Sequence, residues 1–149
     1  MDTKFSTAIH MLILVSEAEA PMNSEQIAQS VGTNASYVRK VAARLGHAGI
    51  IGSRGRSGFC LLKAPDEITF LDVYRAVEEA DHVHVFDIHQ NPSDACIVGR
   101  NIRSVLGGMF RQAEEVVEDE LAGATLADCM ARMREEIGRN SRQQEGKRQ

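Results

Sequence analysis

The chain has 149 residues, a net charge of −4 and few aromatic side chains, with no Trp among them. That length fits one domain, or one domain with an appendage, around a core of aliphatic and Met side chains. No apolar run approaches the ~20 residues of a membrane span, and the first residues lack the basic start and cleavage site of a signal peptide. A cytoplasmic protein with no membrane partner is therefore expected.

The average charge hides a segregation. Residues 1–65 carry seven Lys and Arg against four Asp and Glu, while residues 66–149 carry ten against seventeen. A basic amino-terminal part on an acidic remainder fits a DNA reader joined to a module that does not touch DNA. Cys60, Cys96 and Cys129 are odd in number and far apart, which suits reduced thiols better than a disulfide framework.

Thr3 to Ala18 reads as a helix, apolar on so many sides that it must be buried on several. Pro21 follows it, and Asn23 or Ser24 can cap the next helix, Ser24 to Val31. Gly32 suits a left-handed helix end. Asn34 or Ser36 can cap a second helix, whose inner stripe is Val38, Val41, Ala42 and Leu45. Two short strands, Ile50-Ile51 and Phe59 to Leu62, flank a tip rich in Gly and Arg. Helix, turn, basic helix and basic hairpin make a winged helix-turn-helix, which sets one helix in the DNA major groove.

Beyond Pro65, Thr69 precedes a helical stretch to about Glu79. Residues 81–95 show no period and read as a loop. A long helix runs from Gly99 or Asn101 to Ala122, with an apolar stripe from Ile102 to Leu121 and a charged face that includes Arg111, Glu114 and Glu118. It outruns a 65-residue reading head, so part of its stripe is expected to pair across a dimer. Thr125 and Asp128 form a capping-box pattern that opens a last helix with Leu126, Met130, Met133 and Ile137 inward. From Gly138 the tail is polar and is read as disordered. The expected units are a winged helix-turn-helix over 1–65, a linker helix and sensor loop over 66–98, a dimerisation helix and terminal helix over 99–138, and a tail over 139–149. The fold class is mainly α with a small β-hairpin wing.

Several pieces of this chain carry a resemblance. They are Ser24-Glu25-Gln26-Ile27-Ala28, then Ser36-Tyr37-Val38, then Leu45 to Ile51, the wing from Ser53-Arg54-Gly55 to Gly58-Phe59, and Ile68 with Asp72 to Ala76. Together they resemble the Rrf2 family of bacterial winged-helix regulators, over nearly the whole chain. The resemblance implies a homodimer that crosses long carboxy-terminal helices and binds a palindromic operator. Well-known members hold an iron–sulfur cluster on three clustered cysteines. Here only Cys96 falls in that window, so the chain resembles a cluster-less branch and no cofactor is expected. The segment Gly58-Phe59 departs from the family's usual Gly-Gly-Tyr.

The candidate DNA contacts are Thr33, Asn34, Ser36, Tyr37, Arg39, Lys40 and Arg44 on the turn and second helix, with Arg54 and Arg56 on the wing. Arg39 suits bidentate contact to guanine. Ser36, Tyr37, Thr33 and Asn34 sit where a backbone phosphate lands on a helix start. Arg54 and Arg56 suit a narrow minor groove, and by resemblance Arg54 is favoured. Cys96, before a helix and four residues from Arg100, is the sensor candidate for a redox or small-molecule signal. His82, His84 and His89 are weaker candidates for a metal, because their spacing fits no dense motif. The expected function is a DNA-binding transcriptional regulator, read as a repressor acting on double-stranded DNA as a homodimer. The alternative is a winged-helix protein-interaction module without specific DNA binding. No phosphate loop or nucleophile elbow points to an enzyme.

Overall fold

The computed structural model describes residues 2–148. Six helices and one hairpin follow in chain order. Helix α1 is Lys4–Glu17, α2 is Ser24–Val31 and α3 is Ala35–His47. Strands β1 (Ile51–Ser53) and β2 (Phe59–Leu61) form the wing. Helix α4 is Phe70–Glu78, α5 is Ile97–Gly123 and α6 is Leu126–Arg148.

Local chemistry sets the boundaries. Asn23 caps α2 through a reciprocal pair, its Oδ1 accepting from the Gln26 N–H while Gln26 Oε1 accepts from the Asn23 N–H, which satisfies two open helix donors. Gly32, at φ +82°, ends α2 in the left-handed region, and its N–H and that of Thr33 both donate to the Ala28 carbonyl. This is the tight turn of the motif. Asn34 then caps α3 by accepting from the Tyr37 N–H at 2.9 Å.

The wing is an antiparallel pair with Ile51 opposite Leu61 and Ser53 opposite Phe59. Phe59 also donates its N–H to the Met22 carbonyl, so the hairpin docks on the segment that leads into α2. Gly58, at φ +121°, makes this approach possible, because a Cβ there collides with the Met22 carbonyl. That contact explains why glycine stands at Gly58.

The core lies among α1, α2, α3, α4 and the start of α6. Leu12, Ile27, Val38, Leu45, Ile50, Val73, Val77 and Leu126 are almost wholly buried in it. Burying side chains of this size stabilises by roughly 1.5–3 kcal/mol each relative to exposure. The capping box at Thr125 forms as the pattern predicts, with reciprocal bonds to Asp128 at 2.9 and 3.1 Å. Two further bonds tie this elbow to the head. Leu126 donates its N–H to the Ile68 carbonyl, and Phe70 donates to that of Ala124.

Three expectations need correction. Met133 and Ile137, expected inward, are exposed, because only the first turns of α6, at Leu126 and Met130, pack on the head. Helix α6 continues past Gly138 to Arg148, where the sequence reads as a disordered tail. Its last turns hold Arg, Gln, Glu and Lys, all good helix formers, and Arg139 bonds Glu136 one turn back. Gly138 and Gly146 each cost only about 1 kcal/mol in such a helix. Helix α5 also begins earlier than expected, at Ile97, directly after Cys96.

Candidate nucleic-acid interface and sensor loop

Helix α3 buries Val38, Val41, Ala42 and Leu45 and leaves Ser36, Arg39 and Lys40 exposed. Arg39, Gly46, Ser53 and Phe59 line one groove of about 340 Å³, so the wing stands directly beside the exposed face of α3. Arg54 and Arg56 project from a hydrogen-bonded tip, where Arg54 donates its N–H to Gly58 and Ser57 donates to Arg54. Both side chains are exposed. Neither forms an ion pair among the described residues.

The two capping alternatives resolve. Asn34 is the cap of α3, and Ser36, two residues in, is exposed. Thr33 and Tyr37 are half-buried and form one wall of a notch against α1.

Arg44 is withdrawn from this surface. Its Nη1 donates to the Val77 carbonyl and its Nε lies 3.6 Å from Glu79. A guanidinium at the carboxy-terminal end of α4 satisfies open carbonyls and complements the helix dipole. The periodicity of α3 puts Arg44 outside its own inner stripe, but gives no sign that α4 ends beside it. Glu25, which sequence reading passed over, lies 3.6 Å from Arg39. It places a carboxylate at the edge of the basic face.

The loop over residues 81–95, expected from sequence to act as a sensor, is pinned to α5. Glu114, on the charged face of α5 opposite its apolar stripe, is only 6% exposed. It accepts from the Val85 N–H at 2.8 Å and the Phe86 N–H at 3.3 Å. Those two bonds, the Val85 bond first, hold its carboxyl below the usual range. Glu118 accepts from the Val83 N–H at 2.7 Å and from Arg111 at 3.0 Å. Arg111 and then Val83 pull its pKa down to about 2. The bonds seat Phe86 against Phe110, with ring centroids 5.1 Å apart. No short motif announces this, because each loop amide meets a carboxylate some thirty residues away.

The histidines take separate partners. Arg111 approaches His82 Nδ1 at 2.9 Å. His84 Nε2 lies 2.7 Å from Asp87, and its Nδ1 lies 3.6 Å from Glu114. Asp87, the largest cause, raises the His84 pKa. His89 is exposed. Among the described residues, no group of three or more His, Cys, Asp or Glu is arranged to hold a metal.

Cys96 is exposed at the start of α5. The N–H groups of Gly99 and then Val98 favour its thiolate and hold its pKa below the ordinary thiol value. The cause is the open helix start, and Arg100 takes no part in it. Cys60 and Cys129 are half-buried, on the wing and on α6.

The model of the Rrf2 family, described as an iron-dependent transcriptional regulator, matches residues 1–132. The chain belongs to the Rrf2 family. Rrf2 proteins are regulators of transcription and not enzymes. YwnA of Bacillus subtilis, an HTH-type transcriptional regulator by its name, is 39% identical over 131 residues, which is 87% of this chain and 96% of YwnA. A crystal structure of a protein described as DNA-binding is 38% identical, covers 85% of this chain and 98% of its own, and superposes with a TM-score of 0.71. CymR, the global cysteine regulator of B. subtilis, shares the fold at 22% identity and a TM-score of 0.63, covering 88% of this chain and 95% of its own. Among the described residues, no group of three or more potential ligands is arranged to match the iron in the Rrf2 description. One thiol lies before α5 and the other two on the wing and α6, in three separate elements, whereas a cluster needs thiolates converging on one site. No helix among the described residues is long and apolar enough to cross a membrane.

Proposed function

We propose that this Rrf2 protein is a cytoplasmic homodimeric repressor that reads a palindromic operator in double-stranded DNA without a resident cluster. One observation carries the reading: the exposed Arg39 and Lys40 of α3 stand beside a wing that bears two exposed arginines. Helix α3 enters the major groove and Arg39 reads a base edge. Lys40, Ser36 and the wing arginines engage phosphates or the minor groove. YwnA, by its name an HTH-type regulator, supports this assignment.

Dimerisation rests on α5. Val98, Val105, Met109 and Val116 are each more than half exposed and recur at seven- and four-residue steps along one seam. That is the spacing of a coiled-coil stripe. A second copy of α5 covers it and sets the distance between two reading heads. Cys96, at the free start of the same helix, is the point where oxidation or an electrophile acts on that distance.

The test is fluorescence anisotropy with the reduced protein and its own upstream DNA, repeated after mild peroxide and with Cys96→Ser. Tight binding that falls steeply with salt, and that peroxide abolishes in wild type alone, is the expected result. Binding indifferent to oxidation removes Cys96 as the sensor. Binding no tighter than to random DNA leaves the protein-interaction module instead.

A further inference from the structure

Helix α6 runs beyond the part of the chain that the family accounts for. The Rrf2 match ends at residue 132, while α6 continues to Arg148. The charge changes sign at the same place. Residues 66–132 carry five Lys and Arg against fourteen Asp and Glu, whereas residues 133–149 carry five against three. After Ile137, the described part of α6 sets Arg139, Arg142, Lys147 and Arg148 against Glu145 alone, and all of these side chains are exposed. Arg139 pairs with Glu136. Arg142, Lys147 and Arg148 form no ion pair among the described residues. Lys147 and Arg148 complement the dipole of the last turn, but Arg139 and Arg142 lie before that turn, outside the reach of the effect.

Three contacts fix where this segment goes. Phe70 donates its N–H to the Ala124 carbonyl just before α6. Its ring meets that of Phe5, near the start of α1, edge-on with centroids 6.1 Å apart. Further along α6, Arg134 lies 3.2 Å from Glu17, the last residue of α1. Both helices thus start near Phe70, and α6 follows α1 in the same direction as far as Glu17. Directly after Glu17, the segment from Ala18 to Pro21 lines a hollow together with Arg54 of the wing. Residues 135–148 therefore leave the head beside the wing. They form an arm about 21 Å long at the rise of an α-helix.

We propose that this arm is a second DNA-binding element, which lies along the phosphate backbone of the duplex flanking the half-site on the wing's side. The proposal rests on the DNA reading above. Charge and position choose the partner together. The arm is basic on an otherwise acidic carboxy-terminal part, and it departs from beside Arg54, so it continues the basic surface of the head. Exposed cations spread along a rod hold phosphates and carry no sequence information. An arm of this length follows about six base pairs at the roughly 3.4 Å spacing of phosphates along one strand.

The experiment compares three full-length chains: wild type, Arg54→Ala, and a variant combining Arg139→Gln, Arg142→Gln, Lys147→Gln and Arg148→Gln. Gln matches Arg and Lys in helix propensity, and circular dichroism and sedimentation check helix content and assembly. Anisotropy over a range of salt follows binding to the upstream duplex and to a scrambled duplex, and hydroxyl-radical footprinting maps the protected backbone. The arm variant is expected to bind both duplexes about ten-fold more weakly at about 0.1 M salt, with the salt slope reduced by about three. Its footprint is expected to lose about six base pairs at the flank and keep the rest. Wild-type affinity and slope in the arm variant, with Arg54→Ala weakened, overturn the arm and leave the DNA reading standing. A weakened arm variant whose footprint keeps its full length also overturns it, because the charges then act without contact. Weakening in the arm variant with none in Arg54→Ala keeps the arm and removes the wing from the interface. If neither duplex gives a footprint, the slope decides: a reduction of about three supports the arm, and an unchanged slope overturns it. Failure of wild type to bind either duplex overturns both readings.

Discussion

The head, from α1 to α4, and the arm formed by α5 differ in how they use apolar residues. The head encloses its own: Leu12, Ile27, Leu45 and Val77 are buried. Along the 27 residues of α5 the buried residue is a carboxylate, Glu114, while Val98, Val105, Met109 and Val116 face outward. A helix of similar composition is thus a finished structure in one place and an unfinished one in the other. Composition alone does not say which. The decisive difference is whether the partner surface lies within reach of the same chain.

The strongest way to break this contrast is to charge the arm. Val105→Glu together with Met109→Glu should leave the head folded and dissociate the proposed dimer, since like charges would face each other across a dry seam. Sedimentation should show a monomer. Operator affinity should fall about a hundred-fold or more as the second head ceases to be tethered. A dimer that survives both changes removes the seam from the interface. Within the head, Gly58→Ala forces a Cβ against the Met22 carbonyl at a backbone angle that favours glycine. Thermal unfolding should register a loss of roughly 1–3 kcal/mol. An unchanged melting temperature would mean that the wing does not dock as described.

Arg44→Ala sharpens the boundary between interface and core. It should cost about 1 kcal/mol of stability through the lost bond to Val77, with no change in the salt slope of DNA binding. A slope reduced by about one would return Arg44 to the phosphates. The smallest effect concerns the loop. Glu118 is depressed from 4.5 to about 2, so its hold on Val83 is complete above about 4.5 and is lost as pH falls toward 2. His84 is raised above 6.5, so its contribution is complete below 6.5 and is lost as pH climbs through the raised value. Amide protection at Val83 and Val85, followed by hydrogen exchange, should therefore be greatest on the mildly acidic side of neutrality. Protection that keeps growing below pH 4 would contradict the Glu118 anchor.

The reading head was legible because its signals are local. Asn23, Gly32 and Asn34 act within four residues of the groups they satisfy, and the inner stripe of α3 is a matter of period. Arg44 was misread because its partner is the end of another helix. The roles of Glu114 and Glu118 were not legible for the same reason, since the amides they hold come from a loop without a pattern of its own. The continuation of α6 was missed because a polar sequence shows no amphipathic period, although its residues are good helix formers.

The elbow at Thr125 makes α5 a lever clamped at one end. Backbone bonds from Leu126 to Ile68 and from Phe70 to Ala124 fix its carboxy-terminal end to the head. Twenty-seven residues at the rise of an α-helix put Cys96 about 40 Å from that clamp. A tilt of about 5° at the elbow moves the far end by some 3–4 Å over such a length. The thiol sits where the travel is longest, so under the proposed sensor role a modest shove there would reach the head as a small, geared rotation.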